Sequence, residues 1–216
     1  MQATERTRLQ RKPSRGSYCH DDVYSILDAA IICHVGFVFN GEARVLPTAF
    51  VRIGNAIYLH GHLHNRMLHA LLDGQLACIS VTHVDGLVLA RSAFHHSVNY
   101  RSVVVYGRAE LVADDEKNSV LTCLIDHLIP NRSVDLRATT PQELNATLVI
   151  KVPIMEASAK LRQGPPKDLA ADYAEDTWAG VVNLKTRVST VEPDSELRSS
   201  ISTPQYVLQL QECYNA

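Results

Sequence analysis

The sequence predicts a mainly β domain: a six-stranded antiparallel barrel with a few α-helices. Three observations point there. Short apolar runs rich in Val, Ile, Tyr and Phe follow one another from residue 33 to residue 112. Turn dipeptides, Asn40-Gly41, Gly54-Asn55 and Asp85-Gly86, separate several of them and tolerate the positive φ of a tight hairpin loop. Few stretches carry helical spacing, and an open meander would leave edges that barrel closure removes.

Taken in order, Asp21 and Asp22 cap a helix over 21–30, with Val23, Ile26, Leu27 and Ala30 recurring on one face. The runs "CHVGFVF", "ARVLPTAFVRI" and "AIYLHG" form the first meander. A short helix over 64–73 interrupts it. "LACISVTHV" and "LVLARSAFHH" are predicted to form a hairpin across Asp85-Gly86, with "YRSVVVYGRAELV" following. Asp114-Asp115 opens another helix, with Val120, Leu121, Leu124 and Leu128 on one side. "ATLVIKVPIMEAS" reads as one strand, "KLRQGPPKD" as a loop, "TWAGVVNL" as a late strand and 204–212 as a short helix.

Composition narrows the class of function. The chain has 216 residues, 46% hydrophobic and 20% charged, which suits one domain with a normal core. A formal net charge of -2 lacks the basic footprint of a nucleic-acid binder, and no apolar run reaches membrane-span length. The five cysteines are far apart and form no CxxC pair, an intracellular pattern that predicts a cytoplasmic protein. The boundaries read as a flexible, Arg-rich tail over 1–18, a domain over 19–186 and an extension over 187–216.

The stretch "YLHGHLHNRMLHALLDG" carries the chemistry. His60, His62 and His64 have the spacing of ligands on one strand face, so a metal-dependent hydrolase is one reading. Against it, Gly61 is expected to end the strand before His64, and no carboxylate lies between Glu42 and Asp73. A wet helix start that binds nothing is a second reading. The third is an anion cradle: strand, glycine turn, then Asn65 as cap and Arg66 as a bidentate fork suited to phosphate.

Together with "FHHSVNYRSVVVYGRAEL" and "TWAGVV", this stretch resembles the pyridoxamine 5′-phosphate oxidase-related FMN-binding split barrels. The resemblance covers roughly residues 11–185, and its nearest branch is the nitroimidazole-resistance-like flavin-nucleotide binders. It implies a six-stranded split barrel of FMN-binding type, a homodimer with FMN in the subunit groove and a small-molecule acceptor.

By the same resemblance, Pro47, Thr48 and Ala49 run along the flavin ring, His60 and Gly61 flank the ribityl chain, and Asn65 and Arg66 hold the phosphate. Asn99, Arg101 and Ser102 approach the flavin, Ser158 and Lys160 come from the partner subunit, and Trp178 closes over it. Met67 stands where the oxidases keep a second basic phosphate ligand, and their C-terminal Arg motif is not visible, so a vitamin B6 substrate is not expected. A basic group near the ring, Lys160 or Arg162, would stabilise reduced flavin. The expected activity is FMN-dependent oxidoreduction of a nitroaromatic- or quinone-like compound. A non-catalytic binder of flavin or of haem is the alternative, the histidines offering an axial ligand.

Overall fold

The computed structural model describes residues 1–215. In chain order its elements are β1 (Gly16–Ser17), α1 (His20–Asp28), β2 (Ile32–Phe39), β3 (Glu42–Ile53), β4 (Ala56–His62), α2 (Arg66–Leu72), β5 (Leu76–Leu89) and β6 (Ser97–Arg108). There follow β7 (Glu110–Leu111), α3 (Asp114–Leu128), α4 (Pro141–Asn145), β8 (Thr147–Pro153), β9 (Glu156–Arg162), β10 (Gly180–Asn183) and α5 (Gln205–Asn215). The strands form one antiparallel sheet ordered β1-β9-β6-β5-β2-β3-β4-β8-β7, with β10 added to the end of β5. This is the expected mainly β split barrel, with ten strands rather than six. Short edge strands and the division of 147–162 into β8 and β9 at Ile154-Met155 account for the difference.

Turn chemistry explains the β2–β3–β4 meander. Asn40 and Gly41 hold φ 52° and 80°, and Gly54 holds φ 58°, the left-handed values that these residue types tolerate best. The Asp85-Gly86 hairpin does not exist. β5 runs straight through it, and Asp85 is the extra residue of a bulge, because Val84 pairs with Tyr100 and Gly86 with Asn99. Glycine eases the close approach of β10 there: a Cβ on Gly86 would sit 3.0 Å from the Val182 carbonyl oxygen.

The core fills the barrel and the space beneath α1 and α2. Val23, Leu27, Val35, Phe50, Ile57, Leu59, Leu68, Leu71, Ile79, Val105 and Ile150 are all fully buried. Cys33 belongs with them, and burial pushes its thiol up to about 12, as expected of an inert core residue. The two halves of the barrel meet at Gly107 of β6, where a Cβ would sit 2.5 Å from the Pro153 carbonyl oxygen of β8.

Residues 1–18 are not a free tail. Thr7 is buried, Thr4 Oγ1 donates to Glu156 Oε2 at 2.5 Å, Arg6 pairs with Glu156 Oε1 at 2.7 Å, and β1 pairs with β9. A single acid at the start of β9 therefore anchors the basic arm. No helix among the described residues is long and apolar enough to cross a membrane.

Candidate functional site

The anion cradle begins with a cap. Asn65 accepts from the backbone N–H groups of Met67 at 3.0 Å and Leu68 at 3.2 Å, which starts α2. Gly61 makes room for it: a Cβ there would lie 2.8 Å from Asn65 Nδ2. Met67 and Leu68 anchor the helix in the core. Arg66 projects outward, exposed, and its guanidinium has no ion pair among the described residues.

His60 lies on β4, two positions before its end at His62. Its Nδ1 is buried with no hydrogen-bond partner, and burial lowers the imidazole pKa below its ordinary value, so the ring is neutral at physiological pH. A buried polar nitrogen without a protein partner is a group that a polar ligand would satisfy. The strand ends before His64, as expected, but one residue beyond Gly61, because His62 still pairs with Thr147 of β8. His64 lies in the turn and donates its backbone N–H to His62 Nδ1 at 3.2 Å. Three metal-capable ligand atoms converge within 4.8 Å at one place among the described residues, His95, Asp168 and Asp172, and not at the 60/62/64 run. Asp168 there is committed to Arg91, which holds it by backbone and side chain at 3.1 Å.

The other candidates fall into separate groups. Pro47, Thr48 and Ala49 lie on β3 opposite His34, Cys33 and Ile32 of β2, and Pro47 is exposed. Asn99, Arg101 and Ser102 lie on β6, with Ser158 and Lys160 on the adjoining β9. Asn99 is buried and accepts from Arg162, while Arg101 makes a bidentate pair with Asp85 at 3.0 and 2.9 Å. Both side chains thus have structural partners. Ser102 Oγ donates to the Lys160 carbonyl oxygen at 3.3 Å. Trp178 is 67% exposed, its ring folded over Gly180. β5 and β2 lie between β6 and β3 in the sheet order, so within one chain the sheet separates the β6–β9 group from the β3–β4 group.

Sequence reasoning missed a second feature. A cavity of about 640 Å³ lies between the N-terminal arm, the segment before β6 and the end of β9. Arg11, Lys12, Arg15, Arg162 and Lys167 line it, with Phe94 at the rim. Arg162 is 7% exposed and donates to Asn99 Oδ1, to the Gly164 carbonyl at 2.9 Å and to the Pro165 carbonyl at 3.2 Å, all neutral acceptors. The reading of "KLRQGPPKD" as a loop hid this, since β9 extends through Arg162.

Comparison with known proteins gives this geometry a context. A family model described as pyridoxamine 5′-phosphate oxidase matches residues 20–161. The structure of the flavocytochrome Anf3 from Azotobacter vinelandii is 39% identical, covers 96% of this chain and 97% of its own, and superposes with a TM-score of 0.91. The FAD and heme binding protein from Mycobacterium smegmatis is 35% identical, with coverages of 91% and 97% and a TM-score of 0.88. A 5-nitroimidazole antibiotic resistance protein from Bacteroides thetaiotaomicron shares the fold at 22% identity and a TM-score of 0.56, covering 67% of this chain and 85% of its own. No curated protein matches the chain. Motif order, split-barrel topology and a family match over most of the chain agree: the chain belongs to the pyridoxamine 5′-phosphate oxidase-related family of flavin-binding split barrels.

Proposed function

We propose that this protein is a flavin-dependent redox protein in which haem is a second prosthetic group. The observation that carries the reading is its likeness, over nearly the whole chain, to a flavocytochrome and to an FAD and heme binding protein. The second of these relatives favours FAD as the flavin, in place of the FMN expected from sequence. The residues present fit a flavin phosphate: Arg66, exposed and without an ion pair among the described residues, follows the Asn65 cap at the start of α2. They also fit haem. His69 is exposed, and one of its ring nitrogens lies 2.7 Å from the Leu63 carbonyl oxygen. That contact orients an imidazole and leaves its other nitrogen for a metal.

Bound flavin supplies the two-electron chemistry; the chain binds and orients. Arg66 holds charge at the phosphate. His60, kept neutral, can donate or accept a single hydrogen bond without adding charge. The acceptor is a small molecule, nitroaromatic or quinone-like.

A homodimer belongs to the same reading. The first half of β3 is exposed at every position from Glu42 to Pro47, so both of its faces lack cover. Val45 (64% exposed) and Leu46 (45%) point to opposite sides, with Val38 of β2 exposed nearby. A second copy would cover this surface and bring its β6–β9 group to the Arg66 end of the first. The deciding experiment is the absorption spectrum of purified protein, with mass analysis of the released flavin and light scattering. Flavin absorption near 450 nm, a Soret band and a dimer mass are expected. A colourless monomer would sink the reading.

A further inference from the structure

The basic cavity poses an electrostatic problem that the chain does not solve by itself. Its lining contains five permanent or near-permanent cations and no carboxylate. The whole chain has 21 Lys and Arg against 23 Asp and Glu, so the clustering is local and runs against the overall charge. Among the described residues, the side chains of Arg11, Lys12, Arg15 and Lys167 have no ion pair. Arg162 is the most costly member, because it is buried and every oxygen it contacts is neutral. Burial, and then the charge of Arg15, both disfavour its protonated form. A buried cation without a counter-charge is strongly unfavourable unless an anion completes the site.

Two further features narrow the anion. Phe94 is 90% exposed at the rim, the most exposed large apolar side chain described. An aromatic face beside a cationic pocket suits a nucleobase stacked above its phosphates. The volume of about 640 Å³ lies within the range of small-molecule sites and far exceeds a single phosphate. Of the lining residues only Phe94 and Leu161 are apolar, too few to sandwich a porphyrin, and five cations repel a metal ion.

We infer that this cavity binds the adenosine diphosphate part of a dinucleotide, with the cations on the two phosphates and Phe94 against the adenine. The choice of a dinucleotide rests on the redox reading above, whereas the anion site itself does not. The dinucleotide is either the FAD of the flavin site or a nicotinamide dinucleotide reductant, which share this half.

The test titrates ADP, adenosine and inorganic phosphate by calorimetry into flavin-free and flavin-loaded protein, for wild type and for Lys167→Glu, Arg15→Glu and Phe94→Ala. Both charge-reversed residues lie at the cavity wall outside the core, so folding is checked by circular dichroism and is expected to be retained. ADP should bind at least about tenfold more tightly than phosphate or adenosine. Each charge reversal should weaken ADP by about tenfold or more and leave adenosine nearly unchanged. Phe94→Ala should weaken ADP and adenosine alike. If ADP binds only the flavin-free form and competes with FAD but not FMN, the source is FAD. If ADP binds the flavin-loaded form and competes with NADH or NADPH for flavin reduction, the source is the reductant. Phosphate binding as tightly as ADP, no ADP binding to either form, or ADP affinity unchanged in both charge reversals would overturn the inference. A protein that binds ADP but no flavin would refute the redox reading and leave this site standing. A protein that binds flavin but shows no ADP binding in either the flavin-free or the flavin-loaded form would do the reverse.

Discussion

Asn65 and Arg66 are adjacent, yet the structure gives them separable roles, and a paired substitution tests this. Asn65 Oδ1 satisfies two backbone donors of α2, at 3.0 and 3.2 Å. Removing such a cap costs about 0.5–2 kcal/mol of stability. Asn65→Ala should therefore lower the stability of flavin-free protein measurably in urea. Arg66 is exposed and its side chain touches nothing polar in the described chain, so Arg66→Ala should leave that stability within about 0.5 kcal/mol. Flavin binding should show the opposite ranking of causes. A lost charge-assisted contact to phosphate costs about 1.5–3 kcal/mol, or roughly ten- to a hundredfold in affinity. Arg66→Ala should weaken FMN and FAD by that factor and riboflavin hardly at all, because riboflavin has no phosphate. Titration by flavin fluorescence, alongside urea unfolding of the flavin-free forms, reads both quantities. Equal weakening of riboflavin and FMN, or a destabilised Arg66→Ala, would refute the division of labour.

Three other perturbations follow from the fold. Phe50→Ala removes a fully buried ring and should cost about 3–5 kcal/mol, seen as a lower urea midpoint at unchanged slope; a loss under 1 kcal/mol on the same scale would mean the core is not packed as described. Gly107→Ala places a methyl 2.5 Å from the Pro153 carbonyl oxygen. It should destabilise by about 1–3 kcal/mol through overpacking, and a neutral result in thermal unfolding would contradict the close approach of β6 and β8. His60 titrates below its ordinary 6.5 because it is buried. Its contribution to stability is therefore complete above that value and is lost as pH falls toward and through the lowered pKa, since the unfolded chain binds the proton first. His60→Gln should flatten the decline of flavin-free stability between about pH 7 and pH 5, and an identical pH profile would show the ring to be solvated.

Much of this was legible in the sequence where the cause is local. The Asn40-Gly41 and Gly54-Asn55 turns and the Asn65 cap follow from backbone preferences of the residues themselves. The Asp85-Gly86 pair was misread because Asp-Gly suits a bulge as well as a turn, and only β10, nearly a hundred residues on, decides between them. The arm was misread for a related reason: its charge looks solvated until Glu156 is placed beside Thr4 and Arg6. The basic cavity gave no signal, because its cations come from 11–15, 162 and 167 and only the β1–β9 pairing gathers them. Of the site residues, Asn65 caps α2 and Arg66 opens it, the local placement that spacing suggested, while Asn99 and Arg101 have structural partners that no motif announces.

Glu156 and Arg162 occupy the two ends of one strand, about 20 Å apart at the usual rise per residue. The arm fastened at the first end supplies three of the five cations at the second. Strand β9 thus works as a rail with a clasp at one end and a socket at the other. Neutralising the clasp, as in Glu156→Gln, removes no atom from the socket, yet it lets the arm exchange with solvent and lowers the fraction of molecules in which the socket is whole. Any ligand of the socket would then bind with an apparent affinity reduced by that fraction, and saturating ligand would in turn protect residues 4–15 from proteases.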